Sequence, residues 1–424
     1  MKSLIPQPAK NVYHLLVALF AALFFRFPAR KLKVIGVTGT DGKTTTVNLI
    51  YHILNKSGVK VGMISTVEAK IFDEKIDTGF HVTTPGSFQT QKLLRKMVDA
   101  GIEVAVLEIT SHGLDQNRAA FVPLHIGLIT NVSKEHLDYH KSFKSYLLTK
   151  AKILNKVNFR VLNNEDPSFE KLRMMGQGQL VSFGGPGADY IGEVVSYSDG
   201  ITNYGIHYKT KQKMLKTMIV RSKLIGLFNL SNILAAFAVG KILGLEDKKI
   251  VNALESFSGV EGRMDRIDLG QDFQIFIDFA HTPRSIELSL QTLRKITEKR
   301  LICVFGSAGE RDRSKRALMG HVAALEADIL FLTSEDPRSE DPEKIIQEIE
   351  KGVIKANGVY QQTYWKIVDR AEAIRKAIKN FAEKGDCVAI LGKGHEKSMN
   401  IAGVEYPWSD REIAIKALQE RLGQ

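Results

Sequence analysis

The chain has 424 residues, too many for one hydrophobic core, so two or three domains are expected. Apolar residues make up 44% and charged residues 25%, with no low-complexity tract, which excludes a disordered or fibrous chain. The formal charge of +12 points to anionic partners; the basic residues form no single arginine-rich arm, so phosphorylated small molecules fit better than nucleic acid. Two cysteines exclude a disulfide framework or a four-cysteine zinc site. Cys303 and Cys387 lie in apolar strand-like runs and read as buried structural thiols, consistent with a reducing cytoplasm.

In chain order, the first feature is an apolar run, Val12 to Phe25, interrupted only by His14 and followed by Arg26, Arg30, Lys31 and Lys33. It is too short to span a bilayer and lacks the small-residue cleavage site of a secretory leader. Two readings stay open. One is a helix docked on the protein's own surface; the other is a membrane-associated helix lying in the interface, its basic flank toward anionic lipid.

Next, the β-branched strand Val34–Val37 runs into Gly39-Thr40-Asp41-Gly42-Lys43-Thr44, and a helical pattern begins at about Thr44. The glycines let backbone N–H groups curl around phosphate oxygens, Lys43 reaches the terminal phosphates, and Thr44 offers a hydroxyl to Mg²⁺. The helix N-terminus adds attraction for anions. Gly39 to Thr45 is therefore the candidate nucleotide loop. Strands then alternate with helices: Val61–Ser65, a helix near Ser87–Ala100, Val104–Ile109 and His125–Thr130. That order predicts a mostly parallel sheet with the loop at a strand's C-terminal end. Tyr190 to Val220 reads as an antiparallel insert. Helices near Asn229–Leu243 and Lys248–Ser256 lead to a junction at 259–267. A second βα series follows, with strands at Gln274–Ile277, Leu301–Phe305, Ile329–Thr333 and Cys387–Leu391. The expected organisation is a short apolar and basic segment at 1–30, a central ATP-binding domain at 31–264 and a second α/β domain at 265–424.

Glu108 ends a buried strand in the sheet of the nucleotide loop, where it can share the Mg²⁺ that Thr44 touches. Asn131, Glu135, His136, Asp138 and His140 follow the next strand. A zinc site there would lack a cysteine partner, so a second Mg²⁺ ligand is the better reading.

The segments "GVTGTDGKTTT", "TTPGS", "LEITSHGLDQNR", "TNVSKEHLDYH", "LFNLSNILAA", "GRMDRI", "DFAHTP", "GSAGERDRSKR", "TSEDPRSEDP" and "LGKGHE" stand in order along the chain. From about Lys33 to Leu422 it resembles the Mur ligases, ATP-dependent amide-forming enzymes of peptidoglycan synthesis. The resemblance implies an α/β fold: a central P-loop ATPase domain with a mostly parallel sheet, and a C-terminal Rossmann-like domain that closes over the active site. It implies transfer of the γ-phosphoryl group of ATP to a carboxylate of the acceptor, UDP-N-acetylmuramoyl-L-alanyl-D-glutamate. An amino acid's amine then displaces phosphate from the acyl phosphate. Lys43 would stabilise the transferring charge, while Thr44 and Glu108 would hold one Mg²⁺. His136 matches a ligand of a second Mg²⁺, and Lys150 the lysine that this family carbamylates. Thr83, Thr84, Ser111 and Arg118 match positions gripping the acceptor's peptidyl end. Asn229, Asn232, Arg263 and Asp278 match nucleotide contacts, with His281 in the same motif. Arg311, Asp336, Arg338, Gly392 and Glu396 match positions that bind meso-diaminopimelate, Arg338 being suited to its distal carboxylate.

Two departures are expected to matter. Asp336 stands where the diaminopimelate pattern carries asparagine. Family members also place roughly a hundred residues before the central domain to bind the UDP end. Here some 30 residues precede the first strand, so a partner assists the basic N-terminus, or the acceptor is lipid-linked or otherwise different. Competing readings are a ligase adding L-lysine, a polyglutamate- or folate-type ligase with a non-murein acceptor, and a nucleotide switch. The switch would need a guanine-reading Asn-Lys-x-Asp, but Asn55-Lys56 and Asn155-Lys156 lack the aspartate.

Overall fold

The computed structural model describes residues 7–72, 74–76, 84–133, 135, 137–198, 200–210 and 212–423. The chain forms two compact units, one ending at Ser258 and one running from Gly259.

In the first unit, eleven strands among the described residues form one sheet. They are β1 (Lys33–Thr38), β2 (Val61–Ile64), β3 (Ala69–Ile71), β4 (Glu74–Ile76), β5 (Val104–Glu108), β6 (Ile126–Ile129), β7 (Phe159–Asn163), β8 (Gln179–Gly184), β9 (Tyr190–Ser198), β10 (Ile201–Lys209) and β11 (Leu215–Ser222). Their order is β11-β10-β9-β8-β7-β6-β1-β5-β2-β3-β4. Every pair from β9 through to β2 is parallel, and each edge is finished by antiparallel strands. β1, β2, β5 and β6 are buried along nearly their whole length, as parallel strands covered on both faces must be. The central feature is the position of β1. β5 pairs on one side of it and β6 on the other, so the chain reverses direction across the sheet there. A crevice opens beyond the strand ends at such a point.

Helices Lys43–Lys56 and Leu227–Ile242 pack on each other, with Ile50, Leu54, Ile233 and Phe237 buried. The N-terminal helix Gln7–Phe24 packs on helix Ser87–Asp99, burying Ala18, Ala21 and Ala22. Gln7 donates to the Tyr139 hydroxyl and Asn11 to Asp115, which anchors the helix start. No helix among the described residues is long and apolar enough to cross a membrane.

The second unit holds β12 (Asp265–Ile267), β13 (Gln274–Asp278), β14 (Leu301–Phe305), β15 (Ile329–Leu332), β16 (Tyr364–Lys366) and β17 (Cys387–Leu391), ordered β12-β13-β17-β14-β15-β16. All pairs but β12–β13 are parallel. β18 (Ser398–Ile401) and β19 (Val404–Pro407) form a separate hairpin. Ile275, Ile277, Val304, Phe331, Val388 and Ile390 form the core with helices Arg370–Lys376 and Asp410–Leu422. A fully buried Arg370–Asp410 pair, bonded at 2.8 and 2.6 Å, also donates to the Leu391 carbonyl and so fixes the end of β17. Removing one member of such a pair costs about 3–5 kcal/mol, because the other charge is left buried alone. Cys303 and Cys387 are buried free thiols, and burial pushes the Cys387 thiol up to about 12.

Candidate active site

The first unit gathers its site at the C-terminal end of β1. Gly42 sits at φ 79° and caps helix Lys43–Lys56. A Cβ there would lie 2.3 Å from the Asn232 Oδ1, and one on Gly39 would lie 1.8 Å from the Thr130 hydroxyl. Only glycine lets the loop turn this tightly against its neighbours. The loop is tied from the β6 side. Thr40 N donates to the Asn131 carbonyl (2.9 Å), Asp41 N to the Asn131 side chain (3.0 Å), and the Thr130 hydroxyl to the Asp41 carbonyl (2.6 Å). The Thr40 hydroxyl meets the Tyr146 hydroxyl at 3.1 Å and accepts from Ser133 N at 3.0 Å.

Lys43 Nζ donates to the Thr40 carbonyl at 2.8 Å, folded along its own loop. The buried Thr44 hydroxyl donates to Glu108 Oε1 at 3.0 Å, while Glu108 Oε2 accepts from Thr66 N at 2.9 Å. The predicted hydroxyl and carboxylate are thus side by side. Thr45 is buried in the helix's first turn. Asn232 accepts from the Thr46 hydroxyl and donates to Asn229, which itself donates to the Ile225 carbonyl.

Lys150, on helix Phe143–Ala151, is 1% exposed; its Nζ donates to the Gly39 carbonyl at 2.6 Å and lies 4.6 Å over the Tyr146 ring. Burial, with the positive charge of Lys43, holds its pKa well below the usual lysine range, and Asp41 only partly opposes this. The β5 side carries Thr84, Thr110, Ser111 and Arg118. Thr84 and Thr110 hydroxyls meet at 3.0 Å, and Arg118 donates to the Thr84 carbonyl at 2.6 Å and to Gln116 at 2.7 and 2.9 Å. Ser111 is buried at the start of its short helix. The predicted Thr83 and His136 lie outside the described residues, as does the side chain of Asp138. Among the described residues no three His, Cys, Asp or Glu side chains group as a metal site.

The second unit collects its predicted residues beyond the C-terminal ends of β13, β14, β15 and β17. Asp278 is held by Met264 N (2.7 Å), Ala280 N (2.9 Å) and the Ser289 hydroxyl (3.2 Å); burial raises its pKa, against the nearby Arg263 charge. The Arg263 guanidinium lies 4.3 Å over the Phe279 ring, and His281 meets the Phe279 carbonyl. Asp336 accepts from Lys393 Nζ at 2.8 Å and from Asn400 N at 3.1 Å, and Lys393 also pairs with Glu396 at 2.5 Å. Lys393 is 1% exposed, so two of the predicted acids share one buried cation. Gly392 packs against Glu335, a buried carboxyl that desolvation pushes up to about 7. Arg338, at φ 53°, is half-buried; its backbone bonds to the β18–β19 hairpin, and its guanidinium makes no hydrogen bond or ion pair among the described residues. Arg311 is exposed.

Sequence reasoning missed Tyr146 and Lys393 beside the candidate residues. Lys393 was within reach: it stands inside "LGKGHE", three residues before Glu396, a spacing at which a lysine and a glutamate can pair.

Comparison with known proteins gives the family. Residues 37–240 match the Mur ligase middle domain and residues 262–394 the Mur ligase glutamate ligase domain. A UDP-N-acetylmuramoyl-L-alanyl-D-glutamate–2,6-diaminopimelate ligase of Geobacillus thermodenitrificans is 37% identical over 96% of this chain and 82% of its own length. Its namesake from Synechococcus elongatus is 39% identical over 95% and 79%. A solved structure of a ligase of that name aligns with a TM-score of 0.64 at 30% identity, covering 92% of this chain and 79% of the other. MurF from Acinetobacter baumannii, at 18% identity and a TM-score of 0.71, shares the fold. The chain belongs to the Mur ligase family and is an ATP-dependent amide ligase.

Proposed function

We propose that this ligase adds meso-diaminopimelate to the D-glutamyl carboxylate of UDP-N-acetylmuramoyl-L-alanyl-D-glutamate, releasing ADP and phosphate. Names of the relatives support this acceptor and donor. The observation that carries the donor is Arg338: a half-buried guanidinium without a partner among the described residues, close in sequence to Asp336, which is itself engaged by Lys393. Diaminopimelate differs from lysine by one carboxylate, and a planar guanidinium can hold it through two parallel bonds. The aspartate at 336 is compatible with that donor, because Lys393 offsets its charge.

In this reading the Gly39–Lys43 backbone cradles the triphosphate and Lys43 leaves the Thr40 carbonyl to follow the γ-phosphoryl group. The acceptor carboxylate, gripped by Thr84, Ser111 and Arg118 with Thr83, attacks the γ-phosphorus, and the bond to the ADP oxygen breaks. The amine then attacks the acyl carbon, the carbon–oxygen bond to phosphate breaks with its electron pair, and the amine's proton is lost. Asn229, Asn232, Arg263 and Asp278 would contact the nucleotide, with Arg311, Asp336, Gly392 and Glu396 around the amino acid.

Thr44 and Glu108 are hard oxygen donors at the exit of the loop and suit Mg²⁺, which when bound would neutralise phosphate charge. Lys150 as an ammonium cannot ligate a second cation. Its environment favours the neutral amine, the form that adds CO₂, and the resulting carbamate would supply a carboxylate to the cation for which His136 is the other expected ligand.

The test is an amino-acid panel with UDP-muramoyl-dipeptide, read by mass spectrometry, on wild type and Arg338→Ala. Diaminopimelate should be the preferred donor. Arg338→Ala should raise its KM by about thirtyfold or more, since losing one partner of such a pair costs roughly 2–5 kcal/mol, with the KM for ATP unchanged. A wild-type preference for L-lysine, or an unaltered preference in the variant, would overturn the assignment.

A further inference from the structure

Helix Gln7–Phe24 carries apolar residues on both sides. One side is the alanine seam of Ala18, Ala21 and Ala22, fully buried against the protein. On the opposite side Val12, Tyr13, Leu16, Phe20, Leu23 and Phe24 are between 56% and 65% exposed. At a hundred degrees per residue these six share one face, and no charged residue interrupts it. Phe88 of the neighbouring helix, 42% exposed, continues the patch, its ring 5.4 Å from that of Phe24. A surface helix usually turns polar residues outward; a continuous apolar face this large marks an interaction surface.

The charge around this face identifies what covers it. The sequence contains no aspartate or glutamate before Asp41. Arg26, Arg30, Lys31 and Lys33 follow the helix and are all exposed, and Lys92 and Lys96 are exposed on the helix it packs against. Nearby acids are few: Asp99 is engaged by Arg95, and Glu103 is exposed. Beside Arg30 a cavity of about 510 Å³ repeats the combination, its lining including Phe27, Phe121, Leu124, Lys152 and Lys156. Lys152 also faces Asp115 at 3.8 Å. Aromatic and aliphatic groups in one plane with exposed cations at its edge are complementary to a bilayer surface with anionic headgroups. A second protein copy would bring the same uncompensated positive charge to the contact.

We infer that helix Gln7–Phe24 is an in-plane membrane anchor that seats this ligase on anionic phospholipid, its alanine seam fixed to the enzyme and its aromatic face in the lipid.

The experiment is co-sedimentation of the full chain with vesicles of phosphatidylglycerol and phosphatidylcholine, against phosphatidylcholine alone. Wild type should pellet with the anionic vesicles and be released near 1 M salt, where the screening length falls to about 3 Å. Leu16→Asp/Phe20→Asp should abolish pelleting, with circular dichroism and ATP hydrolysis retained. If that variant fails to fold, Arg26→Gln/Lys31→Gln decides: about fivefold weaker partitioning is expected per removed charge. Wild type staying in the supernatant, equal binding to neutral vesicles, or binding untouched by both variants would overturn the inference. So would a dimer, seen by sedimentation without lipid, that Leu16→Asp/Phe20→Asp dissolves.

Discussion

At Lys150 an amine is enclosed with Lys43 as its electrostatic neighbour and a backbone carbonyl as its bonded partner. That environment favours the uncharged nucleophilic form, so activity should depend on dissolved CO₂. Lys150→Ala should lose most activity and recover part of it with added short carboxylates. A carbamate signal after ¹³C-bicarbonate labelling checks the chemistry, and activity indifferent to CO₂ with no such signal would contradict it. Glu335 presents the opposite case. Burial raises its pKa to about 7 despite Arg370, Lys393 and Lys315, with Glu396 adding to the rise. The folded state therefore holds the proton more tightly than the unfolded chain. Stability attributable to this group is complete below about pH 4.5 and is lost as the pH rises toward 7. Glu335→Gln cannot ionise, so it should be more stable than wild type at pH 8, on the order of 2–3 kcal/mol, with the difference gone by about pH 4. Urea melts at both pH values measure this. Neither environment was legible from the sequence in full. The "TSEDPRSEDP" acids and the "LGKGHE" lysine could be recognised as motif residues. Their pairing, across the 57 positions from Asp336 to Lys393, appears only when β15 and β17 bring their ends together.

At the scale of elements, the strand–loop–helix start was readable because three local signals coincide: β-branched residues, spaced glycines and a helix N-terminus. The same holds for β2, β5, β6 and, in the second unit, β13, β14, β15 and β17, whose apolar runs are continuous, whereas the three-residue β12 and β16 were missed. β7 and β8 were missed because their patterns are mixed with polar residues, with only part of each buried. The β3–β4 hairpin was missed because its strands have three residues each, too short for a period. The loop's dependence on its neighbours gives a direct test. Gly42→Val must adopt a left-handed backbone, costing about 1–2 kcal/mol, and its Cβ would meet the Asn232 side chain. The expected result is a destabilised protein with ATP turnover reduced at least a hundredfold, read by urea melting and ADP release. Wild-type turnover in that variant would show that the loop's path is not needed.

For the whole molecule, each unit buries its own core beneath its own mostly parallel sheet and presents its candidate residues near the strands' C-terminal ends. Unfolding should therefore depart from a single two-state transition, with a calorimetric enthalpy above the van't Hoff value; equal enthalpies would contradict this. The two βα series led to an expected division near residue 265, and the compact units divide between Ser258 and Gly259. The apolar outer face of the N-terminal helix was not, since a run such as Val12 to Phe25 reads the same whether one side or both are covered. The ties on the phosphate loop bear on every catalytic cycle. Asn131, Thr130, Ser133 and Lys150 hold Gly39 to Asp41 in shape through the protein's own hydrogen bonds. The entropy of ordering that loop is lost once, when the chain folds, and not again at each encounter with ATP. In the proposed reading, nucleotide capture then asks Lys43 to leave the Thr40 carbonyl while the loop keeps its path, so each new triphosphate meets a backbone already shaped for it.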